Sequence, residues 1–378
     1  MIQKIAIYGA GAIGGWMGVR LAASGCDVSV VARGDTLAAV RAHGLRLREG
    51  EAERAQAVTA SDNTAALGVQ DLVIVSVKAP GMADVARRIQ PLIGPNTIVL
   101  TAMNGVPWWF LQGFGGPVAG LTLQSVDPGG AIAQAIPAQH VIGCVVHASC
   151  SVDAPGVIRH RAGQGLIVGE PAGGETARVR ELADLLTKAG FDVTLSPQIQ
   201  KDVWYKLWGN MTMNPVCAMT GASSDRVLDD ELVRGFLSAV MLEAKEIGAR
   251  IDIPIADEPE DRHAVTRKLG AMRPSMLQDV EAGKPVELDA LVASVRELGQ
   301  PGKSVLLVAG RGHVRSDIGV PTWLPGDFKQ KVAIAQSDKA QTAIAMKADK
   351  LLTLEGNASE DQCSQLREQW KNRPAPKP

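Results

Sequence analysis

Residues 2–15, IQKIAIYGAGAIGG, decide the fold. A short apolar run ends in glycines, and GAGAIG at 9–14 opens a helix-like stretch of small residues reaching Ser24. Gly9 permits the tight turn after a first strand. Gly11 lets the backbone approach a pyrophosphate, and Gly14 allows close helix–sheet packing, with the helix N-terminus facing the anion. A lone G-x-G-x-x-G is a weak signal. This one follows a strand, opens a helix and leads into a second strand at 27–32, DVSVVA, so it predicts a dinucleotide site.

The pattern continues outward. LVIVSV (72–77) and TIVLT (97–101) read as further strands, with a helix at 82–90 between them. Near-continuous apolar strands alternating with helices predict a parallel sheet covered on both faces. The Gly-, Val- and Pro-rich middle carries strand signals at 118–123, 141–147 and 165–168. Helical patterns follow at 176–189, 199–214, 227–249, 258–271 and 286–298. The expected organisation is a Rossmann domain over 1–173, an all-helical domain over 174–300 that starts near the Pro171–Gly174 turn, and an atypical segment over 301–378. The end, NRPAPKP, reads as disordered.

Composition excludes several classes. A formal net charge of -1 gives no electrostatic case for nucleic acid or an anionic membrane. No apolar run approaches the ~20 residues of a membrane helix. The N-terminus has no secretory leader pattern. The five cysteines, at 26, 144, 150, 217 and 363, form no C-x-x-C and pair with no histidine at zinc spacing. They read as reduced thiols of a cytoplasmic protein that binds no metal.

Four features carry chemistry. Strand 2 ends in Ala32-Arg33-Gly34, where NAD-binding proteins place an acid on the ribose hydroxyls. Arg33 offers a fork for a 2′-phosphate, which favours NADPH; the competing reading makes Arg33 a surface residue and Asp35 the ribose ligand. Lys78 and Asn104-Gly105 lie just past the C-terminal ends of two parallel strands, the edge where open α/β sheets bind ligands. KLWGNMTMNP (206–215) stacks Lys206, Asn210 and Asn214 at i, i+4 and i+8 on one helix face. An ammonium beside two amides can hold an oxygen-rich molecule and give it a proton. Pro215 predicts a kink or stop there. The fourth is SMLQDVEAGKPVELDAL (275–291), in which Ser275 and Glu287 are either ligand groups or helix caps. The histidines show no ligand spacing, and Trp108-Trp109 reads as packing.

Together GAGAIGG (9–15), VSVKA (75–79), MNG (103–105), KLWGNMTMNP and SMLQDVEAGKPVELDAL resemble the ketopantoate reductase family (2-dehydropantoate 2-reductase), over Met1 to about Gly299. The resemblance implies a Rossmann domain followed by an all-α domain of the 6-phosphogluconate dehydrogenase C-terminal type, and NADPH-dependent reduction of a 2-oxoacid in pantothenate biosynthesis. By motif, Gly9, Ala10, Gly11, Ala12, Ile13, Gly14, Arg33 and Lys78 take the cofactor. Asn104 sits between nicotinamide and substrate. Lys206 is the proton donor. Asn210, Asn214 and Ser275 hold substrate oxygens, and Glu287 lies by the nicotinamide ribose and the catalytic lysine. A homodimer is compatible with the family.

Two departures stand out. After NPVCAM, Ser224 falls about where members of the pantothenate pathway often have a substrate-holding Asn, so the exact 2-oxoacid is open. After RELG the chain leaves the family pattern, and GRGHVRSDIGVPTWL (310–324), with DQCSQLR (361–367) more weakly, resembles the end of a ChaN-like (DUF399) haem-binding protein. Only the tail of such a domain is present, so no haem is expected. A fusion after a truncated reductase domain explains this; GVPTW also echoes a reductase loop, so an insertion is the competing account.

Overall fold

The computed structural model describes residues 2–299 apart from 115 and 117, and beyond them two short strands. The chain divides into two compact units, Met1–Gly302 and Lys303–Pro378.

The first unit carries strands β1 (Lys4–Tyr8), β2 (Asp27–Val31), β3 (Leu45–Glu49), β4 (Ala52–Gln56), β5 (Thr59–Ser61), β6 (Gln70–Val75), β7 (Ile93–Ala102), β8 (Val141–Ala154), β9 (Val157–Gly169) and β10 (Asp192–Leu195). Helices α1 (Ala12–Ala23), α2 (Gly34–His43), α3 (Met82–Arg88), α4 (Ala131–Ala135) and α5 (Ala177–Lys188) connect them. The central order β5-β2-β1-β6-β7-β8 is parallel throughout. That is the doubly wound arrangement, and its order reverses between β1 and β6. Strand β9 returns antiparallel to β8 and carries β3 and β10 on its other side.

Alternation along the strands builds two cores. Ile5 and Ile7 of β1 and Leu72 and Ile74 of β6 point to one face, which Trp16, Met17 and Leu21 of α1 and Val179, Leu182 and Leu186 of α5 cover. Ala6, Tyr8, Val73 and Val75 point to the other, packed by α3 and by Trp204, Leu207 and Trp208 of a long helix, α6 (Ile199–Thr220). The helical part follows as α7 (Ser224–Asp229), α8 (Glu231–Arg250), α9 (Pro259–Arg267), α10 (Ser275–Glu281), a π-helical turn at Asp289–Ala293, and α11 (Ser294–Leu298). In the second unit, strands β11 (Ala333–Ser337) and β12 (Lys350–Leu354) pair in parallel. The remaining expectations for 301–378 lie outside the described residues.

Several expectations are corrected. The strand expected at 118–123 is a turn and loop segment. The helix expected at 82–90 ends at Arg88. Pro215 neither stops nor ends α6, which runs to Thr220 and closes on left-handed Gly221 (φ 70°). Proline removes one ladder donor, and the surrounding packing holds the helix through that loss. The helix expected at 227–249 is two helices. Asp230 separates them and caps α8 by accepting from Leu232 N and Val233 N. The segment at 286–298 opens as a π-turn. Helix α5 packs on the sheet and β10 joins it, so the α/β layer extends past the expected turn at 171–174 to Leu195.

Candidate active site

The reversal of strand order opens a crevice beyond the C-terminal ends of β1 and β6, where Gly9 and Ser76 lie. Gly9 takes φ 100°, and Ser76 Oγ donates to its carbonyl at 2.8 Å. A Cβ on Gly14 would lie 2.1 Å from Ser76 Oγ and 2.2 Å from Gly9 O, so only glycine lets α1 approach. A Cβ on Gly11 would meet nothing within 4 Å, which leaves the first turn of α1 open to an incoming phosphate. Ala10 is buried beneath that turn, with Ala12 and Ile13 half-buried inside it.

From Gly9–Gly11 a groove of about 350 Å³ runs past Tyr8, Ala32, Arg33, Thr36, Asp84 and Arg88. Arg33 lines it with an exposed guanidinium, whereas Asp35 is not among its lining residues. Asp84 in the first turn of α3 lies 3.4 Å from Arg33, 3.3 Å from Arg87 and 3.7 Å from Arg88. Tyr8 places a buried hydroxyl without a hydrogen-bond partner in this groove. Burial, then the Asp84 carboxylate, pushes its pKa up. These groups fit a phosphorylated ribose: the guanidiniums of Arg33 and Arg88 against one carboxylate, beside an orphan hydroxyl. Tyr8, Asp84, Arg87 and Arg88 were not singled out from sequence, and the paired arginines on the helix after VSVKA are the signal that could have found them.

The two loop motifs meet the helical part. Lys78 Nζ forms a short ion pair with the buried Asp279 carboxylate of α10. Ala79 N donates to Glu287 Oε1 at 3.0 Å. Asn104 lies in the bend two residues past β7, and Gly105 (φ 81°) turns so that a Cβ there would sit 2.6 Å from Ala290 O; Val106 N donates to that carbonyl at 2.8 Å. Lys78, Asn104 and Glu287 are therefore brought together around 279–290. Asp279 was missed because an Asp one turn into a short helix reads as solvated.

Lys206 stands on α6 where that helix crosses β8, and its Nζ donates to Val146 O at 2.5 Å. Burial lowers its pKa to about 8; the Glu287 carboxylate opposes that, and Arg262 adds to it. Burial pushes the neighbouring Cys144 thiol up to about 12, so it stays a thiol. Burial also raises the Glu287 pKa, against the Ala79 N–H and Lys78. Asn210 and Asn214 continue the stripe. Asn214 is only 6% exposed, and neither amide makes a hydrogen bond among the described residues. Ser275 begins α10, which packs on α6, and its side chain does not cap that helix. Ser224 is fully buried, donates Oγ to Gly270 O at 2.9 Å and so has its donor committed to the fold. The tryptophans pack as expected, Trp109 Nε1 donating to Thr101 Oγ1 at 3.0 Å. No group of His, Cys, Asp and Glu among the described residues is arranged to hold a metal.

The whole arrangement is an acid of tuned pKa and two unpartnered amides beside loops that edge a nucleotide groove. Known proteins resemble this chain in sequence and fold. Residues 5–108 match the model for ketopantoate reductase PanE/ApbA, and 198–303 match its C-terminal counterpart. A 2-dehydropantoate 2-reductase of Mesorhizobium japonicum is 44% identical over 299 residues, covering 79% of this chain and 92% of the relative. A Ralstonia solanacearum MolK2 structure, described as a candidate ketopantoate reductase, superposes with a TM-score of 0.76 at 56% identity, over 79% of this chain and 92% of that one. D-Mandelate dehydrogenase, solved with NADH and anilino(oxo)acetate, shares the fold at 21% identity and a TM-score of 0.68, over 79% of this chain and 91% of its own.

Proposed function

We propose that this chain, which belongs to the ketopantoate reductase family, reduces 2-dehydropantoate to pantoate with NADPH, a step toward pantothenate and coenzyme A. The observation that carries the reading is Lys206: a buried ammonium with its pKa near 8, at the head of a stripe of unpartnered amides. Gly9–Gly14 and the open turn at Gly11 would hold the pyrophosphate, and Arg33 with Arg88 the 2′-phosphate. Lys78, Asn104 and Glu287 would edge the nicotinamide end. When bound, NADPH supplies the hydride for the ketone carbon.

Lys206 does the rest of the chemistry. Its ammonium stabilises charge growing on the ketone oxygen and then transfers a proton to it, which leaves a neutral amine and a hydroxyl. Glu287 keeps the amine protonated, while burial keeps its pKa near working pH. Asn210, Asn214 and Ser275 present groups for the substrate's remaining oxygens. Low dielectric around Lys206 strengthens each of these contacts.

A second reading, reduction of another 2-oxoacid, is favoured by one observation: the Ser224 hydroxyl already donates to Gly270 O. A third is an NADPH-binding protein without turnover. NADPH oxidation measured with 2-dehydropantoate and a panel of bulkier 2-oxoacids separates them. Highest kcat/KM for 2-dehydropantoate supports the first reading, preference for another acid the second, and tight NADPH binding with no turnover the third. Within this proposal the protein is cytoplasmic and a homodimer is compatible with the family; residues 301–378 are read as the tail of a ChaN-like protein fused after the reductase, with an insertion as the competing account. Among the described residues no helix is long and apolar enough to cross a membrane.

A further inference from the structure

Arg262 is an anomaly next to the acid. It lies on α9, half-buried, and makes no ion pair among the described residues. Its Nε is hidden from solvent without a hydrogen-bond partner. Nη1 reaches Thr266 Oγ1 only at 3.4 Å. The guanidinium carbon stands 5.9 Å from the Tyr205 ring centroid, and the Tyr205 hydroxyl is already bonded to Asp257. A half-buried guanidinium with a hidden, unpartnered Nε and no counter-charge is costly to keep, and an anion from outside the chain would relieve it.

Its position says which anion. A Cβ added at Gly209 would lie 2.7–2.8 Å from Nη2, Cζ and Nε of Arg262, so the guanidinium rests directly on the α6 backbone. Gly209 is three residues, just under one turn, beyond Lys206. The guanidinium therefore overlies the turn of α6 that carries the Lys206 ammonium, an arrangement that suits a molecule whose reacting ketone and carboxylate sit on adjacent carbons. The electrostatics agree: after burial, Arg262 is one of the groups that lower the pKa of Lys206, and after burial and Lys206 it lowers that of His147 on β8.

We propose that Arg262 binds the carboxylate of the 2-oxoacid, and that glycine at 209 clears the space for its guanidinium. The role rests on the reductase reading above. Arginine suits it because its planar fork meets a carboxylate with two parallel hydrogen bonds, which a lysine cannot reproduce. Lys206 then takes the ketone oxygen, and the amides of Asn210 and Asn214 are left for the substrate's distal hydroxyl. Gly209 and Arg262 come from separate helices and were not singled out from sequence, because an arginine amid DRHAVTRK reads as a solvated face.

The test compares wild type with Arg262→Gln, Arg262→Lys and Gly209→Ala. Each is assayed with 2-dehydropantoate and with its uncharged lactone, alongside NADPH affinity and melting temperature. The expected result is a fall of about 10- to 100-fold in the preference for acid over lactone in Arg262→Gln, carried by KM for the acid. Gly209→Ala moves the same way and Arg262→Lys recovers part of the loss. Equal losses on acid and lactone, or an unchanged KM for the acid, would overturn the proposal and leave Arg262 as a clamp on Tyr205. Oxalate titrated calorimetrically into the NADP⁺-loaded protein reads the same subsite without turnover. Absence of turnover with every 2-oxoacid would sink the reductase reading; oxalate affinity unchanged by Arg262→Gln would sink the carboxylate subsite separately.

Discussion

Replacing Lys206 with methionine should separate chemistry from stability. Methionine has similar length and no charge, and it can occupy the space beside Cys144 and the β8 backbone. With a pKa of about 8, Lys206 is roughly nine-tenths protonated at pH 7. Removing the acid should cost about 10²- to 10⁴-fold in kcat, the usual worth of a positioned proton donor. Stability should move the other way. The pKa falls from 10.5 to about 8, and at ~1.36 kcal/mol per unit the charged form is disfavoured in the fold by about 3 kcal/mol. Lys206 keeps some solvent contact, and its loss leaves Val146 O without a donor. Together these offset about half of that figure, for a net gain of about 1–2 kcal/mol at pH 7.

The sign with pH is a further check. Between pH 8 and 10.5 the unfolded chain holds more protons at this site than the folded one, so wild-type stability rises with pH across that window. Below pH 8 the burial penalty is fully present; above 10.5 it is gone. The advantage of Lys206→Met should therefore be largest near pH 7 and shrink through pH 9.5. Urea melts of both proteins at pH 7 and 9.5, with NADPH oxidation at pH 7, measure all three quantities. A variant no more stable than wild type at pH 7, or equally favoured at both pH values, would refute the buried-ammonium argument. A variant that kept its kcat would refute the proton-donor role.

The other predictions concern the groups around this acid. Glu287→Gln keeps an acceptor for Ala79 N–H but removes a charge that raises the Lys206 pKa. In the reduction direction kcat/KM should be flat below a pH of about 8 and fall above it, and this substitution should shift that alkaline limb to lower pH; an unmoved limb would mean that Glu287 does not tune Lys206. Arg33→Gln should raise KM for NADPH by about 10- to 100-fold, the worth of a charge-assisted phosphate contact, and change KM for NADH by less than about twofold. Equal effects on both cofactors would show that Arg33 serves the fold and not the 2′-phosphate.

The parts that sequence made legible were those whose physics is local. GAGAIG had to be glycine at 9 and 14 because of a positive φ and a contact of about 2 Å, and both constraints can be read from neighbours in the chain. The strands β1, β2, β6 and β7 announced themselves through burial on both faces. What stayed hidden was set by distant partners. Strand β3 and the edge strand β4 beside it are half-polar, and β4 is largely exposed, so nothing distinguished them from loop. Helix α5 has an ordinary amphipathic pattern that cannot say whether its apolar face meets a sheet or other helices. Asp279 and Arg262 look like surface charges until Lys78 and Gly209 are brought against them.

Helix α6 shows why the stripe could be read while its setting could not. The helix is buried nearly all round: Trp204, Leu207 and Trp208 feed the core under the sheet, while Met213, Val216 and Cys217 feed a second core with α7, α8 and α10. Such a helix has little amphipathic signal, so its polar residues stand out only as exceptions. Successive i+4 steps drift about 40° around the axis, so Lys206, Asn210 and Asn214 cover an arc of about 80°. Two of the three, Asn210 and Asn214, make no hydrogen bond among the described residues and leave their amides open to a ligand. A fold with no use for that arc would fill it with leucine. Its presence between two apolar cores is itself the argument for a ligand there, and the Arg262 guanidinium over Gly209, between Lys206 and Asn210 along the helix, adds a group with no counter-charge among the described residues.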